Sequence, residues 1–120
     1  MRVAAFVALG AALLFSGVTE SKAQAIKADL LNAACSTDLN ASDVISTLCL
    51  SFIGAVLDTH AALSIVAPQA KVFCIPPQGL KPEVAAAAFR TWARDNSAEL
   101  ADTRGAIAIL SALHLNFPCP

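Results

Sequence analysis

The sequence predicts an all-α fold, a small bundle of about four helices stapled by two disulfide bonds. Three observations predict it. Alanine is abundant, tyrosine is absent, and the alternation of apolar and polar residues that marks strands is hard to find. Apolar residues instead recur at spacings of three and four between recognisable helix start and stop signals. All four cysteines follow an N-terminal leader, and an even number of cysteines in an exported chain is typical of disulfides.

The leader has the pattern of a cleavable signal peptide. Arg2 gives a short positive region, an apolar run extends from Val3 to Phe15, and Ala23-Gln24-Ala25 supplies a cleavage site of small residues. The apolar run is shorter than the roughly 20 residues that a membrane-spanning helix needs. We therefore predict that residues 1–25 are removed on export to the periplasm and that residues 26–120 form one domain. No second long apolar span is expected, so the mature protein is predicted to be soluble.

The charge of the mature chain argues against nucleic acid as a partner. After the leader, lysine and arginine are slightly outnumbered by aspartate and glutamate, which gives a net charge of about −2. The basic residues form no stripe that could neutralise a phosphate backbone.

The first two helices are predicted from their apolar spacing. A short helix covers residues 26–34 and places Ile26, Leu30, Leu31 and Ala34 on one face. Asn40 or Ser42 can cap a second helix, and Asp43 suits the positive end of its dipole. That helix is predicted to run to about Thr59 or a little beyond. Its apolar face is expected to hold Val44, Leu48, Phe52, Ala55 and Val56.

The other two helices follow a proline-rich connection over residues 68–79. Pro82 opens a strong helix with Glu83 in its first turn, and this helix ends at about residues 95–97. The last helix is predicted over about residues 98–115, with a break allowed near Gly105. Its core side is expected to hold Ile107, Leu110, Leu113 and Leu115.

Gly54 interrupts the second predicted helix, where glycine costs roughly 1 kcal/mol relative to alanine. One interpretation is a tolerated local weakness. The other is a close approach of two helices, with Gly54 and Ala55 forming the small surface. We prefer the second interpretation because an apolar helix has few other uses for glycine, so Gly54→Leu is predicted to damage the fold more than Gly54→Ala.

The cysteines Cys35, Cys49, Cys74 and Cys119 allow three connectivities, and the sequence alone does not choose among them. Two helices joined by a short turn are expected to be antiparallel, which returns the end of the last helix to the beginning of the third. Cys119 then lies beside Cys74, and Cys35 is left to pair with Cys49. This hairpin argument makes Cys35–Cys49 and Cys74–Cys119 the preferred pairs.

Motifs that carry chemistry are missing from the sequence. There is no Cys-x-x-Cys pair, no glycine-rich phosphate loop and no marked nucleophile. His60 and His114 lie far apart in sequence, and each is interpreted as a surface or partly buried residue rather than a metal ligand. We therefore predict no catalytic residues, no metal and no cofactor, and a protein that is not an enzyme.

The charged turn between the last two helices has two interpretations. Most charged turns are only solvated, which is the simpler one. The functional one is a rigid recognition loop over residues 95–102, presented by two stapled helices. Asn96, Glu99 and Asp102 are then the candidate contact residues, and their acidic character suits a basic cleft rim.

Taken together, residues 49–58, 74–81 and 112–119 resemble segments of the Rap/Tai immunity proteins of bacterial type VI secretion. Residues 49–58, Cys-Leu-Ser-Phe-Ile-Gly-Ala-Val-Leu-Asp, are similar to that family's cysteine-containing helix. Residues 74–81, Cys-Ile-Pro-Pro-Gln-Gly-Leu-Lys, are similar to its Cys-x-Pro turn before a helix, and residues 112–119 to its Ala-Leu and Phe-Pro-Cys ending. The likeness covers the chain from about Cys35 to the end. The chain departs from the family pattern at Asn96-Ser97, which replace a His-Pro turn.

The resemblance implies an all-helical, disulfide-stapled periplasmic protein of a family whose members are often homodimers. It also implies binding and inhibition of a toxic effector, commonly a peptidoglycan amidase. A second hypothesis is a small periplasmic helical stress chaperone, which requires many titratable groups where this chain has few charges. An enzyme ranks last, for want of a site.

Overall fold

The computed structural model describes residues 25–120, which fold into four α-helices. The first helix, α1, covers Ala28–Cys35, and α2 covers Val44–Val66. The third, α3, covers Pro82–Asp95, and α4 covers Gly105–Asn116. Short 3₁₀ turns at Pro68–Ala70 and Ser97–Glu99 complete the regular structure. The predicted all-α class is confirmed, while residues 1–24 of the predicted signal peptide lie outside the described part of the chain.

Both predicted disulfide bonds are present. Cys35, the last residue of α1, is bonded to Cys49 in α2, and both side chains are buried. Cys74, before α3, is bonded to Cys119, after α4. The second bond closes the open end of the α3–α4 hairpin, whose two helices share the most extensive helix–helix contact in the domain. The hairpin argument from sequence therefore holds.

The start of α2 differs in detail from the prediction. Asp43, rather than Asn40 or Ser42, is the N-cap residue, and its side chain accepts a hydrogen bond from the Ser46 amide at 2.7 Å. This bond and the Ser46 hydroxyl lower the pKa of Asp43 below its ordinary value, because they stabilise the carboxylate form. The helix also continues past Thr59 to Val66, where Ala67 and Pro68 end it.

The buried face of α2 is not the predicted one. Its buried residues recur at helical spacing and are Ser46, Cys49, Ile53, Leu57 and His60. Val44 is instead 84% exposed and Leu48 is 37% exposed. The sequence misleads here because apolar side chains occur around most of the helix, so that several faces satisfy the same spacing rule.

Helix α2 is also long and apolar enough to cross a membrane, judged by length and composition alone. The sequence-based expectation of no second long apolar span was therefore wrong. In this fold the buried side of α2 packs against α1, α3 and α4, and Cys49 bonds it covalently to α1.

The close approach in this bundle occurs at Gly105 and not at Gly54. A Cβ atom on Gly54 would meet nothing within 4 Å, so the predicted tight helix crossing there was wrong. A Cβ on Gly105 would lie 3.1 Å from the Ile26 carbonyl oxygen and 3.1 Å from a Leu31 methyl group. Gly105 is buried and begins α4. The last helix therefore starts seven residues later than the predicted start at about residue 98.

The core lies where the four helices meet. Its largest fully buried side chains come from every helix and from the segment after α2, and they are Leu31, Ile53, Phe73, Phe89, Ile109 and Leu113. Alanines fill much of the remaining contact between α3 and α4, with Ala86, Ala93, Ala108 and Ala112 fully buried. Two residues that were predicted for the core side of α4, Ile107 and Leu115, are 54% and 70% exposed.

Candidate partner-binding surfaces

The turn between α3 and α4 is held by its own backbone. The carbonyl of Glu99 accepts hydrogen bonds from the Thr103 amide at 3.0 Å and the Thr103 hydroxyl at 2.8 Å. It also accepts one from the Asp102 amide at 3.2 Å. Leu100 is half-buried and packs against the core. These contacts fold residues 97–103 back on themselves instead of leaving an extended loop.

The same turn is fastened to the segment before α1. The amide of Ala28 donates to the Thr103 carbonyl at 2.8 Å, and the amide of Asp29 donates to the Leu100 carbonyl at 3.3 Å. Lys27 and Arg104 form an isolated antiparallel bridge. The start of the domain therefore braces the turn from outside the α3–α4 hairpin.

The structure separates the three predicted contact residues into two kinds. Asn96 is half-buried, and both its amide and its side-chain Nδ2 donate to the Trp92 carbonyl, at 2.9 and 2.8 Å. Its side chain is thus occupied in closing the end of α3. Glu99 and Asp102 are exposed on the turn. The one ion pair in residues 25–120 joins Arg94 to the neighbouring Asp95 at 3.9 Å, so it involves neither carboxylate.

A second surface feature is an apolar groove between α2 and α4. Its cavity of about 300 Å³ is lined by side chains from both helices and from the residues after α2, among them Phe52, Val56, Leu63, Val72, Ala106 and Leu110. A further hollow continues from Val72 and Leu110 along α4 to Ile107 and Leu115. Phe52 and Val56, which were predicted to face the core, are half-buried: they pack against the core and also line this groove.

Val72, on one wall of the groove, belongs to a segment that we call the strap, residues 71–75. The strap is held between two histidines. The amide of Val72 donates to His60 Nε2 at 3.1 Å, and the carbonyl of Val72 lies 2.8 Å from His114 Nδ1. Cys74 then ties the strap to the chain end, both through its disulfide and through its amide, which donates to the Phe117 carbonyl.

His60 is buried in this arrangement, with 6% of its surface exposed. Its ring stacks on Phe73 with centroids 3.9 Å apart, and Nε2 also lies 3.5 Å from the Phe73 amide. Burial lowers the pKa of His60, and the positive charge of Lys71 lowers it further. No sequence pattern indicated that His60 and His114 would meet at one residue, because their positions depend on the path of the strap.

The residues that the structure describes contain no cluster of histidine, cysteine, aspartate or glutamate that could hold a metal ion. The two surfaces described above are the candidates for contact with another molecule. One is a braced acidic turn, and the other is an apolar groove.

Comparison with known families supplies the class of partner. The family model of the Rap1a immunity proteins matches residues 27–119, which is nearly the whole of the described domain. The chain belongs to the Rap1a immunity family. Neither the curated proteins nor the solved structures that were compared with the chain gave a match.

Membership of the Rap1a family confirms the resemblance that the three sequence segments indicated. It implies an immunity protein that binds a toxic effector protein. The four helices and the two disulfide bonds described above are thus the framework on which this Rap1a chain carries its partner-binding surface.

Proposed function

We propose that the chain is a periplasmic immunity protein that binds a toxic effector and inhibits it by occluding the catalytic cleft. The observation that carries this proposal is the family match over residues 27–119. The effector is proposed to be a peptidoglycan amidase delivered by type VI secretion. Support comes from the likeness of residues 49–58, 74–81 and 112–119 to immunity proteins of that system, and from the predicted leader, which would bring the protein to the compartment that holds peptidoglycan.

The acidic turn is the proposed contact surface. Glu99 and Asp102 are exposed, and the backbone that carries them is fixed by hydrogen bonds within the turn and to residues 28 and 29. A surface that is already ordered loses little conformational entropy on binding. Asn96 contributes by closing α3 beneath the turn, so that its part in binding is to hold the two carboxylates in place. Two carboxylates on a rigid turn suit an effector whose cleft has a basic rim.

The active form is proposed to be a homodimer that buries the apolar groove. Large apolar side chains are exposed along α2 and α4, including Leu63 at 47%, Ile107 at 54% and Leu115 at 70%. Contiguous apolar surface on a soluble protein marks an interaction site. Leu115→Glu is expected to give a monomer in sedimentation analysis. Val84→Glu on α3, where the side chain is 48% exposed, is the matched control and is expected to leave the dimer intact.

The mature protein is proposed to be soluble in spite of the apolar character of α2. The buried face of α2 contacts three other helices, and its Cys49 is bonded to Cys35. Spanning a bilayer would require these contacts to be replaced by lipid. The chaperone alternative has less support, because the family match covers the domain and names immunity proteins.

The proposed function is tested by protection from a periplasm-directed amidase toxin encoded near the gene. Cells that carry residues 1–120 are expected to survive, whereas cells that carry residues 26–120 alone are expected to lyse. Purified mature protein is expected to block peptidoglycan hydrolysis at equimolar ratio. Equal survival without the leader would contradict the periplasmic site of action, and undiminished hydrolysis would contradict the amidase as target.

A further inference from the structure

The contact between His60 and the strap depends on which nitrogen of the ring carries a proton. Nε2 faces two backbone amides, those of Val72 at 3.1 Å and Phe73 at 3.5 Å, and both can only donate. Nε2 must therefore be the bare nitrogen, and the single proton of the neutral ring lies on Nδ1. A second proton on the ring could go only to Nε2, where it would turn the sole acceptor into a donor that faces two other donors.

The contact between His114 and the strap does not depend on a bare ring nitrogen. His114 meets the strap through Nδ1 and the Val72 carbonyl, at 2.8 Å. A carbonyl accepts, so His114 must carry a proton on Nδ1, and it does so both as this neutral tautomer and as the imidazolium. Acid thus removes one of the two histidine contacts of Val72 and leaves the other in place.

The surroundings of His60 oppose its protonation in the closed arrangement. Helix α2 carries one other ionisable side chain, the exposed Asp58, two positions away and so on a different side of the helix. The strap supplies Lys71, whose positive charge acts against a charged imidazole, and α4 supplies His114. Nδ1 of His60 is buried and has no hydrogen-bond partner among the described residues. A charged His60 would therefore be poorly solvated unless the strap moved away.

We propose that His60 is a pH-sensitive latch, whose protonation releases the strap from α2 and opens one wall of the α2–α4 groove. The opening is local, because the Cys74–Cys119 bond and the hydrogen bond from Cys74 to Phe117 hold the far end of the strap. Val72, which lines the groove, is the residue that moves. This device is separate from the acidic turn, so it holds whether or not the turn binds an effector.

Proton linkage sets how strongly pH shifts the equilibrium between the open and the closed strap. If opening takes up one proton, the equilibrium between open and closed strap shifts toward open by up to tenfold for each unit of pH, in the range between the pKa values of His60 in the two states. The upper end of that range lies at about pH 6.5, the ordinary pKa of a solvated imidazole. Above it, the strap stays closed.

Amide hydrogen exchange at Val72 tests the latch in the mature, disulfide-bonded protein. After correction for intrinsic exchange, protection of this amide is expected to fall by up to about tenfold per pH unit below pH ~6.5, while the Ile53 amide in the core of α2 keeps its protection. His60→Gln is expected to abolish the pH dependence, and His114→Gln is expected to lower protection at every pH but to preserve the slope. A flat profile in the wild type, or a parallel fall at Ile53, would overturn the proposal.

Lys71 provides a second test that does not alter the buried ring. Lys71→Glu replaces an opposing charge with an attractive one, which raises the pKa of His60 in the closed arrangement. The fall in Val72 protection is therefore expected to level off at a higher pH and to be smaller in total than in the wild type. Lys81→Glu makes the same change of charge at the exposed N-cap of α3 and is the matched control. Identical profiles in these two variants would overturn the latch even if His60→Gln failed to fold.

Discussion

The amide of Gly105 donates to the Ile26 carbonyl at 2.8 Å, and this oxygen stands 3.1 Å from the place of a Gly105 Cβ. The same Cβ would meet the Leu31 methyl group at 3.1 Å. Gly105→Ala must therefore displace backbone at the junction of α1 and α4. We expect this variant to lose about 1–3 kcal/mol of unfolding free energy, the range of overpacking in a core. Urea denaturation followed by circular dichroism measures it, and an unchanged midpoint would contradict the close approach.

Gly54 provides the contrasting case within the same bundle. Nothing lies within 4 Å of a Cβ at this position, so an added methyl group meets no obstacle. Gly54→Ala is expected to raise the free energy of unfolding by up to about 1 kcal/mol, because alanine has the higher helix propensity. Gly54→Leu is also expected to fold, with a melting temperature no lower than that of the wild type. A lower melting temperature in either variant would restore the interpretation of Gly54 as a packing site.

The two disulfide bonds are expected to differ in their contribution to stability. Cys35 and Cys49 are 14 residues apart, and Cys74 and Cys119 are 45 apart. In the chain-entropy model, loops of these sizes correspond to about 3 and about 4 kcal/mol respectively. Replacing Cys74 and Cys119 together by serine is expected to cost about 4 kcal/mol and to free the end of α4. If denaturation of this double variant shows less than about 1 kcal/mol of loss, the hairpin is held by packing alone.

The ends of α3 were predictable from the sequence, whereas the buried faces of α2 and α4 were not. Pro82 begins α3 and Asp95 ends it, as the sequence predicts, because proline and capping residues act locally. The face of α2 and the core side of α4 were misassigned, because both helices are apolar over most of their surface and only tertiary contact selects a side. His60 and His114 meet at Val72 because of the path of the strap, which has no regular secondary structure. No periodic pattern in the sequence could therefore predict this contact.

Stability is expected to fall with acid in two separate ranges. The pKa of His60 is lowered in the fold, so the unfolded chain binds more protons below about pH 6.5, and the contribution of the neutral ring is lost as the pH falls further. The pKa of Asp43 is also lowered, so the contribution of its carboxylate cap is lost only below about pH 3.9. Thermal unfolding from pH 8 to 3 measures both. His60→Gln is expected to remove the upper range alone, and persistence of both ranges would contradict this assignment.

The acidic turn is expected to determine recognition of the effector. Glu99→Lys with Asp102→Lys reverses two exposed charges but leaves the backbone hydrogen bonds of the turn in place, because those bonds use the carbonyl of Glu99 and the amide of Asp102. This double variant is expected to keep its helical content and to lose at least tenfold in affinity for the effector, with a matching loss of cell protection.

Asp58→Lys with Glu83→Lys makes the same change of net charge at exposed positions of α2 and α3. This control separates a local contact from long-range steering, since steering by net charge would weaken both variants equally and would fade with added salt. Full protection by the turn variant would place the interface elsewhere, and the apolar groove would then be the surface to test next.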